Sequence, residues 1–198
     1  MSFLQNLLAI IRGQILIFPR LNIGLVRVFG PVSIRGPKLN LIIGNRAVFW
    51  GNTTLVMSSK FNDYIEIGDN VIVETGCYFL AHSGKIIIGN NSFICVGAII
   101  QGKGGVNIGE DVLIGPGVKI FSSDHVVELN DIPRRSLGES EGPVHIQNNV
   151  WIGASSIILK GSVLPAGSVI AAGTVVRKPL GETGLYASPI KLAKIRRL

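Results

Sequence analysis

The amino-acid sequence predicts an all-β chain wound as a triangular coil of short parallel strands, and three observations predict it. An aliphatic residue recurs every sixth position, as in IQNNVW, IGASSI, ILKGSV, LPAGSV and IAAGTV, led by Ile146, Ile152, Ile158, Leu164 and Ile170. A small or β-branched residue follows four places later: Val150, Ser156, Ser162, Ser168 and Thr174. Val and Ile supply most of the recurring positions, and both favour strands over helices. A period of six matches neither a helical face near 3.6 nor a strand face at two. It matches a short strand plus a turn. Three such units close a coil of about eighteen residues, and successive coils stack as parallel strands about 4.8 Å apart. A sandwich of alternating strands has no reason to keep this phase.

The same rhythm appears earlier at Ile43, at Ile67 and Val73, at Ile88 and Ile94, and at Ile108, Ile114 and Ile120. Glycine follows the aliphatic residue at Gly68, Gly89, Gly109, Gly115 and Gly153, where a bend of the backbone is expected. The repeat domain is placed at residues 39–178, in phase from Leu41 to about Val176. Small insertions interrupt it at Leu80 to Lys85 and around Gly102 to Gly105. The large interruption is a polar loop at residues 126–143, holding Pro133, two Arg and three Glu. A long insertion in a repeat protein maps to a loop on one face, often the functional one. Residues 179–198 form a tail that is apolar and basic from Leu185 to Leu198, where it suits a short outer helix.

Residues 1–38 precede the repeat. Leu4, Leu7, Leu8, Ile11 and Ile15 follow helical spacing. No Asp or Glu occurs before Asp63, whereas Arg12, Arg20, Arg27, Arg35, Lys38, Arg46 and Lys60 do; these seven account for the whole net charge of +7. The segment is too broken by Arg12 and Gln14 to span a bilayer, and it lacks the small-residue cleavage site of a signal peptide. Two roles fit: a cap over the open end of the coil, which otherwise leaves strand edges bare, or an amphipathic contact with an anionic membrane face. A length of 198 residues suits one domain. The two cysteines, Cys77 and Cys95, form no disulfide framework, which points to a reducing, cytoplasmic setting. Cys77 falls at an inward small position and is expected as a buried thiol. The sequence offers no metal-ligand cluster, and no recognition helix or aromatic platform for nucleic acid.

Three histidines carry the ionisable chemistry near neutral pH. His82 lies in the first small insertion. His145 precedes Ile146, where a strand residue points outward. His125 ends the unit IFSSDH and opens the long loop, where a repeat scaffold and a loop can frame a cleft. A neutral imidazole there suits a general base.

The repeats, the DH pair before a loop, the stretch NNVWIGASSIILKGSVLPAGSVIAAGTVVRK and the ending GLYASPIKLAKIRR resemble the hexapeptide-repeat acyltransferases. The similarity is greatest to the branch of galactoside, maltose and other sugar O-acetyltransferases. The resemblance covers roughly Leu41 to Leu198. It implies a left-handed parallel β-helix, a homotrimer with sites between neighbouring subunits, and acetyl-CoA as donor. Carried over position by position, it makes His125 the general base. Trp151 falls near the acyl-CoA channel, and the N–H of Ala154 near the thioester carbonyl. Ala172 and Gly173 fall on the backbone beside the pantetheine arm. Arg177 and Lys178 stand near the nucleotide end, where their charge suits phosphates. On the acceptor side stand Asp124 and Cys95; Cys95 occupies the place of an acceptor-binding Asn, which departs from the family pattern. The characteristic amino-terminal region of the galactoside and maltose enzymes is absent.

These features predict an acetyl-CoA-dependent O-acetyltransferase acting directly on a sugar hydroxyl, within a bacterial surface polysaccharide or its precursor. It would need no metal, and would work in the cytoplasm or at the cytoplasmic membrane face. The alternatives are an N-acetyltransferase of an amino sugar or antibiotic, and a non-catalytic β-helix scaffold. Zinc-dependent relatives of the fold need several converging histidines, which three scattered ones do not supply.

Overall fold

An aliphatic side chain at each sixth residue is buried only if the chain turns after each short strand, and the chain turns at each of these points. The computed structural model describes residues 25–37, 40–58, 63–128 and 132–188. Their strands are two to four residues long and form three parallel sheets. The first face runs through eight strands, from Arg27–Phe29 to Leu185–Tyr186; the second runs through seven, from Val32–Arg35 to Val175–Val176; the third runs through six, from Leu41–Ile43 to Val163–Leu164. The result is an all-β parallel solenoid consistent with a left-handed β-helix. Among the described residues the helical structure is confined to single 3-10 turns, one of them at Arg134–Ser136.

Each inward residue stacks on the inward residue of the coil below. On the second face Leu55, Phe79, Ile100, Ile120, Ile158 and Val176 form one column. On the third face Ile43, Ile67, Ile88, Ile108, Ile146 and Leu164 form another. All twelve are buried, so the core is a continuous rod. The small residues four places on fill the corners. Two of the corner hydroxyls bond the main chain they touch: Ser156 Oγ donates to Ala171 O at 3.0 Å and Ser92 Oγ to Gly109 O at 3.1 Å, whereas the buried Ser168 Oγ has no partner among the described residues.

The glycines after the aliphatic residues have a different cause from the bend expected of them. None of Gly68, Gly89, Gly109, Gly115 and Gly153 has a positive φ. The left-handed turn residue comes two places later, at Asn70, Asn91, Asp111, Gly117 and Ser155; Asn and Asp tolerate that conformation better than most residues. The glycines are required by stacking. A Cβ on Gly89 would lie 2.6 Å from the carbonyl carbon of Gly109, and one on Gly153 would lie 2.5 Å from the nitrogen of Ala172.

Three boundaries differ from the sequence reading. The coil starts by Arg27, inside the segment assigned to a cap at residues 1–38. Arg27–Phe29 pairs with Val48–Trp50 and Val32–Arg35 with Thr53–Val56. Val26 and Val28 are buried there, and Phe29 stacks on Trp50 with ring centroids 4.7 Å apart. Irregular spacing between 36 and 41 hides this coil from a six-residue count. At the other end Leu185–Tyr186, assigned to the tail, adds a strand beside Val169–Ile170. It therefore replaces the start of the helix expected there. Within the 126–143 loop, Glu139–Glu141 is also a strand. The helical spacing at residues 4–15 lies outside the described residues, as do residues 189–198.

Gly89→Ala should lower stability by about 1–3 kcal/mol, the usual cost of overpacking, although its φ lies outside the left-handed region. Urea unfolding monitored by tryptophan fluorescence measures it, and an unchanged midpoint would contradict the stacking argument.

Candidate active site

The second face breaks after Lys119–Phe121, and Ser122 organises the break. Ser122 is buried; its N–H and its hydroxyl both donate to Gln101 O, at 3.1 and 2.8 Å. Its hydroxyl accepts the N–H of Gly104 at 2.9 Å, and its carbonyl accepts that of Gly142 at 2.9 Å. One residue therefore pins the loop's exit, its return and the insertion beneath it. Beyond Ser122 the strand Ser123–His125 leaves the coil and pairs antiparallel with Glu139–Glu141. This two-stranded arm carries His125 out to solvent, where the imidazole is exposed.

Beside the arm is a cavity of about 250 Å³ lined by Gln101, Phe121, Ser123, Asp124, His125, Glu139 and Leu159. Apolar walls come from the coil and polar groups from the arm, the usual composition of a small-molecule site. Asp124 Oδ1 accepts the main-chain N–H of His125 at 2.9 Å, which stiffens the arm at the histidine. Lys103 reaches up from the Gly102 to Gly105 insertion to Glu139 at 3.0 Å and to Glu141 at 3.8 Å. The Lys103 hydrogen bond holds the Glu139 carboxyl below its ordinary pKa; slight burial opposes it, and the Ser123 hydroxyl supports it. Glu139 is therefore ionised at neutral pH.

The remaining sequence-selected residues lie on another edge of the prism. Trp151 is exposed on the first face, in register with Leu113 below and Val169 above. The corner between first and second faces forms its own ladder: Gly97 N donates to Thr75 O, Gly117 N to Val96 O, Ser155 N to Pro116 O and Gly173 N to Ala154 O, at 2.8–3.0 Å. Cys95, Ala154, Ala172 and Gly173 all belong to this corner column. Among the described residues the N–H groups of Ala154 and Ala172 have no hydrogen-bond partner. Arg177 and Lys178 follow Val175–Val176 at the top of the second face, exposed and outside any ion pair among the described residues.

The structure thus brings Asp124 together with His125. It keeps Trp151 on the first face, and Ala154, Ala172, Gly173 and Cys95 on the corner between the first and second faces. Ala154 and Leu159 of the His125 cavity lie on opposite sides of the strand Ile157–Ile158. His145 stands on the third face in a separate open cleft with Asn107 and Gln147. His82 sits in the insertion with a left-handed φ of 50°. Cys77 is buried, its Sγ 3.2 Å from Cys95 O, and burial pushes its thiol up to about 11. Among the described residues no group of three His, Cys, Asp or Glu is placed to hold a metal ion, and no helix is long and apolar enough to cross a membrane.

Glu139, Lys103, Ser123 and Gln101 were not singled out from the sequence. The available signal was GESEGP, which directly precedes the return of the repeat at Val144 and so had to lie near the loop's origin. The partners it would meet there were not legible.

Comparison with known proteins agrees with this architecture. A family model described as the hexapeptide repeat of succinyl-transferase matches residues 85–122 and 143–178. The dTDP-4-amino-4,6-dideoxy-D-glucose acyltransferase of Escherichia coli is 32% identical over 130 residues, covering 63% of this chain and 62% of that protein. Galactoside O-acetyltransferase of Escherichia coli strain K12 is 35% identical over 99 residues, covering 50% of this chain and 47% of that protein. The chain thus spans less than two thirds of the length of either relative. A variant of AntD, an N-acyltransferase from Bacillus cereus in complex with dTDP-4-amino-4,6-dideoxyglucose and coenzyme A, superposes with a TM-score of 0.51 at 18% identity. It covers 86% of this chain and 84% of that one, a likeness of fold.

Proposed function

We propose that this chain, a member of the hexapeptide-repeat acyltransferase family, moves an acetyl group from acetyl-CoA to a sugar hydroxyl with His125 as general base. The observation that carries the proposal is the exposed imidazole of His125, presented into a cavity with one apolar and one polar wall. In this reading His125 takes the hydroxyl proton as the oxygen attacks the thioester carbonyl carbon. The tetrahedral oxyanion is met by a main-chain N–H, for which the unpartnered Ala154 N–H is the candidate. Collapse breaks the carbon–sulfur bond, and the CoA thiolate takes the proton back from the imidazolium. No acylated side chain enters this reading, because the acceptor oxygen attacks the thioester directly.

Acetyl-CoA would run along the corner of Trp151, Ala154, Ala172 and Gly173, with Arg177 and Lys178 near its phosphates. That corner and the His125 cavity lie on opposite edges of the second face within one chain. The reading therefore requires the corner of one subunit to meet the His125 cavity of the next, as in a homotrimer. The outward apolar residues Leu113, Val96 and Trp151, between 40% and 51% exposed, suit burial in such an interface. The acceptor would be a polysaccharide or its precursor. An amine on a nucleotide-linked amino sugar is the second reading, favoured by the relative named for such a substrate.

His125→Ala should reduce transfer by about 10²–10⁴-fold with folding intact; turnover within a few-fold of wild type would remove His125 from the mechanism. Parallel assays with oligosaccharide hydroxyls and with dTDP-linked 4-amino sugars decide between the two acceptors.

Charge reversal at Arg177 and Lys178 should weaken CoA more than dephospho-CoA in calorimetric titration. Equal weakening would mean that the pair does not face the 3′-phosphate.

Light scattering at micromolar concentration should give three times the chain mass of 21.2 kDa. A monomer would contradict a site shared between subunits.

A further inference from the structure

We propose that the amino-terminal end of the prism docks on an anionic lipid bilayer, with the Phe29–Trp50 pair as its interfacial anchor and Arg27, Arg35 and Arg46 as its charge. No Asp or Glu precedes Asp63, whereas seven Lys or Arg do. The strands Arg27–Phe29, Val32–Arg35 and Leu41–Ile43 are the end strands of the three sheets. The winding therefore gathers this one-signed stretch at one end of the molecule. Asp63 does not offset it at the surface: it is buried and accepts the N–H groups of Ser58 at 2.7 Å and Ser83 at 3.1 Å. Arg35 and Arg46 are exposed and Arg27 is half-buried. None of the three is in an ion pair among the described residues. Arg46 and Arg27 are neighbours, since the Arg27 N–H donates to Ala47 O at 2.9 Å.

The apolar groups lie beside this charge. Burial alternates from Leu25 to Phe29, with Val26 and Val28 turned inward; Leu25, Arg27 and Phe29 thus share the outer side. Leu25 is 58% exposed and Trp50 is 37% exposed, and the Trp50 ring stacks on Phe29. A tryptophan has an apolar body and a polar N–H, which suits the headgroup level of a bilayer. Exposed apolar groups next to cations free of carboxylates combine shallow insertion with attraction to anionic headgroups. On the second face four coil spacings separate Val32–Arg35 from Lys119–Phe121 at the root of the arm, about 19 Å. Docking at this end leaves the His125 cavity open.

The chain has two tryptophans, Trp50 and Trp151, on different coils of the first face, so each can be made the sole reporter. In Trp151→Phe, phosphatidylglycerol–phosphatidylcholine vesicles should shift the Trp50 emission to the blue, and brominated acyl chains should quench it. In Trp50→Phe, the remaining Trp151 should be quenched far less. Co-sedimentation should favour these vesicles over pure phosphatidylcholine. The preference should shrink as added salt shortens the reach of charge from about 10 Å at 0.1 M to about 3 Å at 1 M. Arg35→Gln combined with Arg46→Asn should weaken the partition about 25-fold, the product of about five-fold for each basic residue. Asn suits the left-handed φ of 59° at position 46, so the double variant should unfold at the wild-type temperature. Equal sedimentation with both vesicle types overturns the proposal. So does a Trp50 quenched no more than Trp151 in protein that sediments, because the contact then lies elsewhere on the chain. Binding to heparin or duplex DNA without binding to vesicles would also overturn it and make the end a polyanion site. None of these measurements depends on acyl transfer, so failure of the transferase reading leaves the lipid contact decided.

Discussion

The stacking of one coil on the next is the constraint from which the rest of this molecule follows. Parallel strands about 4.8 Å apart bring each corner against the corner below with no room for a side chain between them. The glycines show this directly, because a Cβ on Gly68, Gly89, Gly109, Gly115 or Gly153 would meet the next coil's corner at under 3 Å. The same stacking places isoleucine on isoleucine inside the prism and satisfies main-chain groups by hydrogen bonds between coils. The side chains at the corner between the third and first faces join in. Asp69 Oδ1 accepts from Asn45 N at 2.7 Å, Asn90 Oδ1 from Asp69 N at 2.8 Å, and Asn148 Oδ1 from Glu110 N at 3.0 Å. Every coil thus supports its neighbours through core, corner and edge.

A scaffold this regular offers few places for chemistry, and departures from it supply them. The arm of Ser123–His125 and Glu139–Glu141 is the antiparallel pair in an otherwise parallel structure. It is anchored twice, by Ser122 at its base and by Lys103 along its return strand. Both anchors reach into the Gly102 to Gly105 insertion one coil below. The two insertions, distant by a coil in the sequence, therefore form one local unit.

The corner between the first and second faces departs from regularity in a subtler way. Val96 N donates to Glu74 Oε2 at 2.9 Å, Pro116 has no N–H, and the N–H groups of Ala154 and Ala172 are left open. Unused donors on an exposed corner lined by small residues suit an extended ligand lying along it. In the proposed enzyme the corner between the first and second faces would hold the donor molecule and the opposite edge of the second face would hold the base. Assembly would bring them together.

The sequence by itself determined the period, the inward residues and the place of the loop. Period is a property of the chain alone, so Ile146, Ile152 and Ile158 could be assigned to the core, and Ser156 and Ser162 to the corners, from spacing. His125 was also legible, because it ends a repeat unit where a long polar segment begins. The first coil was not, since Val28 and Ile34 keep the six-residue spacing but the irregular connection to Ile43 puts them out of phase with the later coils. The cause of the glycines was not, because a close approach between coils is made by residues about twenty positions apart. Nor were Glu139 and Lys103. Their meeting depends on the register of an antiparallel arm and on which coil lies beneath it, and both are set by how the loop folds back in space, which no local spacing encodes.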